Sequence, residues 1–293
     1  MYLYRVIRAL RPVNLLMTAG ILYSVRYGLF RAAEAGSGVS CYWVYVFSVV
    51  CVMAYGYLLN DRYDVHTDAV NKPGKNLFEG APAGRIFGLA VPLAALSLLP
   101  LLYLTASGMR EFAVPILLNG AALFLLSVYA RYGKGTVLWG NLLVAFLAAL
   151  LFVSAFFANG PSLSRDAHAL RMTGLYALFS FSVTLVREIV KDAEDQTGDA
   201  RSGIRTLATQ YGTGVSKYAA GALSLPLVLL LLSVSVWFYR QGAAAGAAAF
   251  FILAVSGIFT LFKLFRSHDK AGFGRTSSAL KIYMLLGIIS MWI

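Results

Sequence analysis

Nine apolar runs, each near the length of a bilayer-crossing helix, recur along this chain and leave no room for a soluble domain of any size. They fall at roughly 10–30, 41–60, 84–104, 111–130, 136–158, 168–191, 214–238, 243–265 and 277–293. A hydrocarbon core about 30 Å thick takes about 20 apolar residues at helical rise. Lipid offers the backbone no hydrogen-bond partners, so each run has to satisfy its own amides and the expected fold is all-α. Composition agrees: 13% of the 293 residues are charged and 59% are hydrophobic, where soluble domains carry about 25% charged residues. The expectation is a single polytopic membrane domain over residues 1–293.

Charge placement sets the topology. The formal net charge of +12 is spread through short connections between the runs, which argues against nucleic acid as the partner. Nine spans put the termini on opposite sides. The side holding the N-terminus then receives 19 of the 25 Lys and Arg residues, from Arg5, Arg8 and Arg11 through to Lys281. The other side receives Arg26, Arg31, Arg110, Arg165, Arg171 and Arg240. By the positive-inside rule the N-terminal side is cytoplasmic, which fits a cell (inner) membrane. The first run lacks a small-residue cleavage site, so it reads as a signal anchor retained as the first helix. Cys41 and Cys51 have neither disulfide nor metal spacing, and free cysteine is commonly a small core residue.

Two longer connections, about 61–83 and 192–213, lie on the cytoplasmic side, and both open on aspartates. The first reads Asn60-Asp61-Arg62-Tyr63-Asp64-Val65-His66-Thr67-Asp68; the second reads Lys191-Asp192-Ala193-Glu194-Asp195-Gln196-Thr197-Gly198-Asp199. In each, aspartates stand at positions 0, +3 and +7, which share one face of a helix. With Glu188, these segments hold eight of the 13 acidic residues in a basic protein. Such crowding costs self-repulsion unless cations offset it, either nearby Lys and Arg or a divalent metal. Hard oxygen donors with no His or Cys pattern suit Mg²⁺, which binds one or two carboxylates plus substrate phosphates. A solvated charged loop with incidental spacing is the plain alternative, and the repetition at equivalent span ends argues against it. Lys72, Lys75, Lys134, Arg187, Lys191, Arg201 and Arg205 accompany the carboxylates. Metal between carboxylates, ringed by Lys and Arg, holds a diphosphate. With the tail of such a molecule in an apolar bundle, the implied chemistry is departure of a lipid-linked diphosphate.

These residues resemble the two signatures of the UbiA-type intramembrane prenyltransferases. Asn60-Asp61-x-x-Asp64-x-x-x-Asp68 with Asn71-Lys72-Pro73 is similar to the first. Arg187-Glu188-Ile189-Val190-Lys191-Asp192-x-Glu194-Asp195-x-x-Gly198-Asp199, continued by Gly203-Ile204-Arg205-Thr206-Leu207-Ala208, is similar to the second. Arg11-Pro12-x-Asn14 and Tyr129…Lys134…Gly140-Asn141 fit the family's other landmarks. The resemblance implies nine transmembrane helices around a central cavity, with a small cytoplasmic cap built from the two long loops. It implies Mg²⁺-dependent transfer of an isoprenyl group from an isoprenyl diphosphate to a lipophilic acceptor. Asp64, Asp68, Asp195 and Asp199 would be catalytic and, with Asn60, would organise metal and diphosphate. Asp61 and Asp192 would support that metal site. Lys134, Tyr129, Lys72, Arg187 and Arg205 would contact the diphosphate, and Asn14 would face the acceptor. The wording of the second signature is most like members that prenylate geranylgeranylglyceryl phosphate; members acting on aromatic or quinone precursors share the core motifs. The run Pro73-Gly74-Lys75-Asn76-Leu77-Phe78-Glu79-Gly80 departs from the usual Arg-Pro-containing pattern.

An ion-coupled transporter is the rival of another class, since intramembrane acids often mark ion paths. Here the acids stand at span ends on one face, whereas transporter sites lie near the midplane. A CDP-alcohol phosphotransferase also uses clustered aspartates, but Gly198-Asp199-Ala200-Arg201 has the wrong order for that signature. His66, His168 and His268 are isolated and give no nucleophilic arrangement.

Overall fold

The computed structural model describes residues 2–30, 38–71, 74, 76–79, 87–133, 136–160 and 166–293. All regular secondary structure among the described residues is helix, with no strand among them. The elements are α1 (Tyr2–Ala9), α2 (Pro12–Ser24, extended by a π turn at Val25–Leu29), α3 (Val39–Tyr63), α4 (Val65–Asn71), α5 (Phe87–Ala106) and α6 (Ala113–Tyr132). They continue with α7 (Trp139–Ala158), α8 (Ala167–Arg201), α9 (Leu207–Arg240), α10 (Ala244–Phe265) and α11 (Lys270–Ser290).

Seven helices among the described residues are long and apolar enough to cross a membrane: Val39–Tyr63, Gly88–Ala106, Arg110–Tyr132, Trp139–Ala158, Ala167–Arg201, Leu207–Arg240 and Ala244–Phe265. The first and last expected spans also form helices but stand apart. α2 has only 13 residues, and α11 carries Lys270, Arg275 and Lys281. Large apolar side chains such as Tyr103, Leu117 and Phe124 are exposed on α5 and α6, as are Leu225, Leu229, Phe251 and Phe259 on α9 and α10. Exposed apolar helix faces of this kind are what contact with lipid tails requires. The protein is a multi-pass integral membrane protein.

The chain divides into two compact units, Met1–Lys134 with Leu150–Gly174, and Gly135–Ala149 with Leu175–Ile293. In the first unit α3 is the central element, packing against α1, α2, α4, α5 and α6. Its buried face carries Tyr42, Tyr45, Val46, Val49, Cys51, Val52, Ala54 and Leu58. Cys41 and Cys51 are both free thiols on this helix. Arg26, counted among the topology-setting basic residues of the non-cytoplasmic side, is buried, with 2% of its surface exposed. The π turn rotates it inward, where its guanidinium donates to Asn159 Oδ1 at 3.2 Å and lies 4.6 Å from the Tyr42 ring centroid. In the second unit α10 packs against α9 and α11. Gly287 of α11 is required by close approach, since a Cβ there would lie 2.5 Å from the Phe179 ring of α8.

The connection expected at 192–213 is mostly helix. α8 runs ten residues past the apolar run, to Arg201. A helix leaving lipid needs no further apolar residues, and the stretch from Asp192 to Arg201 contains no proline to stop it. It stops at Gly203, whose φ of 69° is the left-handed conformation that glycine adopts without a Cβ penalty. Ile204 N–H donates to the Asp199 carbonyl and Gly203 N–H to the Ala200 carbonyl, the paired bonds that close a helix C-terminus. Three residues later Thr206 and Thr209 form a reciprocal capping box that opens α9. α9 then breaks at Gly212, with φ 86° and ψ 163°, just before its apolar run begins near residue 214.

Candidate active site

The first aspartate row stands at the end of α3. Helix geometry lapses at Asp64, yet Asp64 N–H still donates to the Asn60 carbonyl at 2.9 Å, and Asp68 N–H to the Asp64 carbonyl at 2.7 Å. The i, i+4 register therefore survives the break, keeping the three aspartates as electrostatic neighbours around buried Asp61. Asn60 Nδ2 donates to Asp64 Oδ2 at 2.7 Å. Asp61 pairs with Arg11, whose Nη2 lies 2.9 Å from Oδ1, and the same guanidinium sits 4.8 Å from the Tyr57 ring centroid. Arg11 holds this position from a left-handed backbone conformation, φ 52° and ψ 61°, between α1 and α2. Such a conformation is uncommon for a residue with a Cβ. Asn76 closes the arrangement from the following segment. Its Nδ2 donates to Asp68 Oδ2 at 2.9 Å and to the Asp61 carbonyl at 2.6 Å.

The second row lies on α8. Glu188, Asp192, Asp195 and Asp199 follow at +4, +3 and +4, one continuous stripe on an unbroken helix. Asp199 is buried, while Glu188, Asp192 and Asp195 are half-buried. Asn141, near the start of α7, donates from Nδ2 to Asp192 Oδ2 at 2.8 Å. Glu188, Asp199 and Lys191 lie within electrostatic reach of that carboxylate. Arg187 donates from Nη1 to Glu188 Oε1 at 2.9 Å. Its Nε is buried and meets no hydrogen-bond acceptor among the described residues. An orphaned buried N–H costs about 1–3 kcal/mol, so this is a place where an incoming oxygen would be favourable.

Of the other residues singled out, Tyr129 is half-buried near the end of α6, and Asn14 is half-buried in the first turn of α2. Arg205 is exposed in the link between α8 and α9, and His66 is exposed on α4. Lys72 and Lys134 lie outside the described residues. Four residues with direct roles around the carboxylates were not among the expected site residues: Arg11, Asn76, Asn141 and Glu188. Glu188 was recoverable, because it extends the +3/+4 stripe backward by one step. The Arg11 and Asn141 contacts span 50 and 51 residues of sequence, and no local pattern announces such pairs.

The described residues contain no group of three His, Cys, Asp or Glu side chains that could hold a metal ion unaided. What they offer is carboxylate oxygen steadied by asparagine amides, with Arg187 close to the second row in sequence. That donor set fits Mg²⁺, which takes one or two carboxylates and completes its shell with water and phosphate oxygens. It does not fit a metal held in an all-protein cage.

Residues 21–285 match the model of the UbiA prenyltransferase family. A digeranylgeranylglyceryl phosphate synthase of Methanopyrus kandleri is 33% identical over 290 residues, covering 96% of this chain and 95% of that one. A solved structure described for digeranylgeranylglyceryl phosphate synthase in membranes superposes with a TM-score of 0.71 at 22% identity, covering 99% of this chain and 97% of its own. A UbiA homologue from Archaeoglobus fulgidus, bound to DMAPP and Mg²⁺, gives a TM-score of 0.65 at 18% identity, covering 98% and 99%. The two solved structures share the fold, and the sequence match over most of the chain carries the assignment: this protein belongs to the UbiA prenyltransferase family.

Proposed function

We propose that this enzyme transfers an isoprenyl group from an isoprenyl diphosphate to geranylgeranylglyceryl phosphate on the cytoplasmic side, with Mg²⁺ required and the aspartate rows supplying the carboxylates. The observation that carries the reading is the pair of carboxylate rows at the ends of α3 and α8, each held by asparagine amides, with the orphaned Arg187 Nε beside the second. Full-length similarity to the Methanopyrus kandleri synthase supports the acceptor. The Archaeoglobus fulgidus homologue with DMAPP and Mg²⁺ supports the donor and the metal.

In this reading residues 1–293 are one catalytic domain, and α2 and α11 join the seven apolar helices to make the nine spans that the resemblance implies. The polar segments after α3 and α8 form a small cap on the cytoplasmic side of the inner membrane. Asn60, Asp64, Asp68, Asp195 and Asp199 hold the metal–diphosphate unit. Asp61 and Asp192 support it, the first through Arg11 and the second through Asn141. Arg187, with Lys72, Tyr129, Lys134 and Arg205, binds diphosphate oxygens, and Asn14 faces the acceptor. Bound Mg²⁺ neutralises the charge that builds on the departing oxygen. The allylic C1–O bond breaks with its electron pair remaining on the diphosphate. The acceptor hydroxyl oxygen then bonds to C1 and releases its proton. Basic side chains aimed at the diphosphate favour that charge-separated state over the ground state.

The test is product formation by purified protein in detergent, where no gradient exists to drive transport. Geranyl, farnesyl and geranylgeranyl diphosphates are offered with geranylgeranylglyceryl phosphate or 4-hydroxybenzoate. The expected result is an ether product from the glyceryl phosphate, formed with Mg²⁺ and lost in chelator. Turnover of the aromatic acceptor alone would replace the acceptor assignment, and full activity in chelator would remove the metal.

A further inference from the structure

Asn76 sits in the segment whose sequence departs from the usual pattern, and its side chain is almost fully enclosed, with 5% of the residue exposed. Besides its bonds from Nδ2 to Asp68 Oδ2 and to the Asp61 carbonyl, its Oδ1 accepts from the Phe78 N–H at 2.9 Å. Both amide hydrogens and the amide oxygen are thus engaged. Turning the amide over would place oxygen against a carboxylate and a carbonyl, and NH₂ against an N–H, so the contacts themselves decide its orientation. The following side chains, Leu77 and Phe78, are buried in a cluster with Ala9 of α1, Leu58 of α3 and Ala90 of α5. The amide is therefore anchored at both ends, by apolar packing behind it and by an α3 carbonyl beside it. Closing the turn uses the Phe78 and Asp61 bonds; the bond to Asp68 is additional, and it reaches one of the carboxylates assigned to the metal–diphosphate unit.

We propose that Asn76 is a positioning residue for prenyl transfer, orienting the Asp68 carboxylate through the Nδ2–Oδ2 hydrogen bond. The inference rests on the functional reading above. Groups that orient a metal-binding carboxylate typically change metal affinity or activity by about 10–100-fold when removed.

Mn²⁺ serves as the probe of the metal site, its affinity read by electron paramagnetic resonance with an unreactive isoprenyl thiodiphosphate present. Asn76→Ala is expected to weaken Mn²⁺ binding and lower kcat by roughly 10–100-fold. Phe78→Ala loosens the same segment while keeping the amide, and is expected to lower the melting temperature with much smaller effects on Mn²⁺ affinity and kcat. In an Asp68→Ala background, Asn76→Ala should add nothing, because its route to the site is already gone. Should Asn76→Ala fail to fold, Asn76→Asp keeps the shape and the Phe78 acceptor while losing the N–H donor, and its kcat should still fall at least about tenfold. Wild-type kcat in folded Asn76→Asp, equal losses in Asn76→Ala and Phe78→Ala, or full additivity with Asp68→Ala would each overturn the proposal. If wild-type protein bound neither Mn²⁺ nor the diphosphate analogue, the functional reading would fall and this inference with it. Wild-type binding with an unaffected Asn76→Ala would remove the inference alone.

Discussion

Replacing Arg11 tests whether a strained residue is retained for its charge. Its guanidinium lies 2.9 Å from Asp61 Oδ1, with the Arg11 side chain 34% exposed and the Asp61 side chain 9% exposed. At an effective dielectric of about 20, unit charges at that distance attract by about 5–6 kcal/mol. One partner is a third exposed, so solvent screening and desolvation reduce the net effect to about 2–3 kcal/mol. The contact with the Tyr57 face adds about 0.5–1 kcal/mol. Arg11→Ala should therefore cost about 3 kcal/mol. Arg11→Gly should cost about 0.5–1 kcal/mol less, because glycine adopts φ 52° without the Cβ penalty, part of which its larger chain entropy cancels. Reversible unfolding by SDS in mixed micelles, followed by circular dichroism, measures both. A cycle with Asp61→Asn isolates the pair, with an expected coupling of about 2 kcal/mol. Coupling below about 0.5 kcal/mol would refute the argument, and so would Arg11→Gly proving less stable than Arg11→Ala.

Three further outcomes are expected. Asp64→Ala and Asp195→Ala should each lower kcat by at least about a hundredfold at saturating Mg²⁺, measured with radiolabelled isoprenyl diphosphate; loss of less than tenfold would take these residues out of the centre. Asp68→Ala combined with Asp199→Ala should cost little more than the worse single change, because residues acting as a unit fail together; strictly additive losses would separate the two rows into different sites. Single cysteines at Gly74 and Ser202, introduced after Cys41 and Cys51 are replaced, should both react with a membrane-impermeant maleimide only from the cytoplasmic side. Labelling from opposite sides would break the topology on which the proposed function depends.

What was legible in the sequence is whatever a bilayer or a helix repeat imposes locally. Apolar runs of spanning length identify the helices because lipid leaves the backbone no other way to satisfy its amides. The +3/+4 aspartate spacing identifies a carboxylate face because 3.6 residues make a turn. Polarity was a poor guide to where those helices stop: α8 continues through its aspartates to a glycine-closed end at Gly203, since a solvated helix needs capping and not hydrophobicity. Only the tertiary structure decided which partners Asp61, Asp68 and Asp192 have. Arg11 reaches Asp61 from a left-handed turn, Asn141 reaches Asp192 from α7, and Asn76 returns to Asp68 from a segment anchored by Leu77 and Phe78. It also buried Arg26, which charge counting alone assigned to the non-cytoplasmic side. Long-range polar contacts leave no periodic trace, because they depend on where whole helices pack and not on the spacing of neighbouring residues.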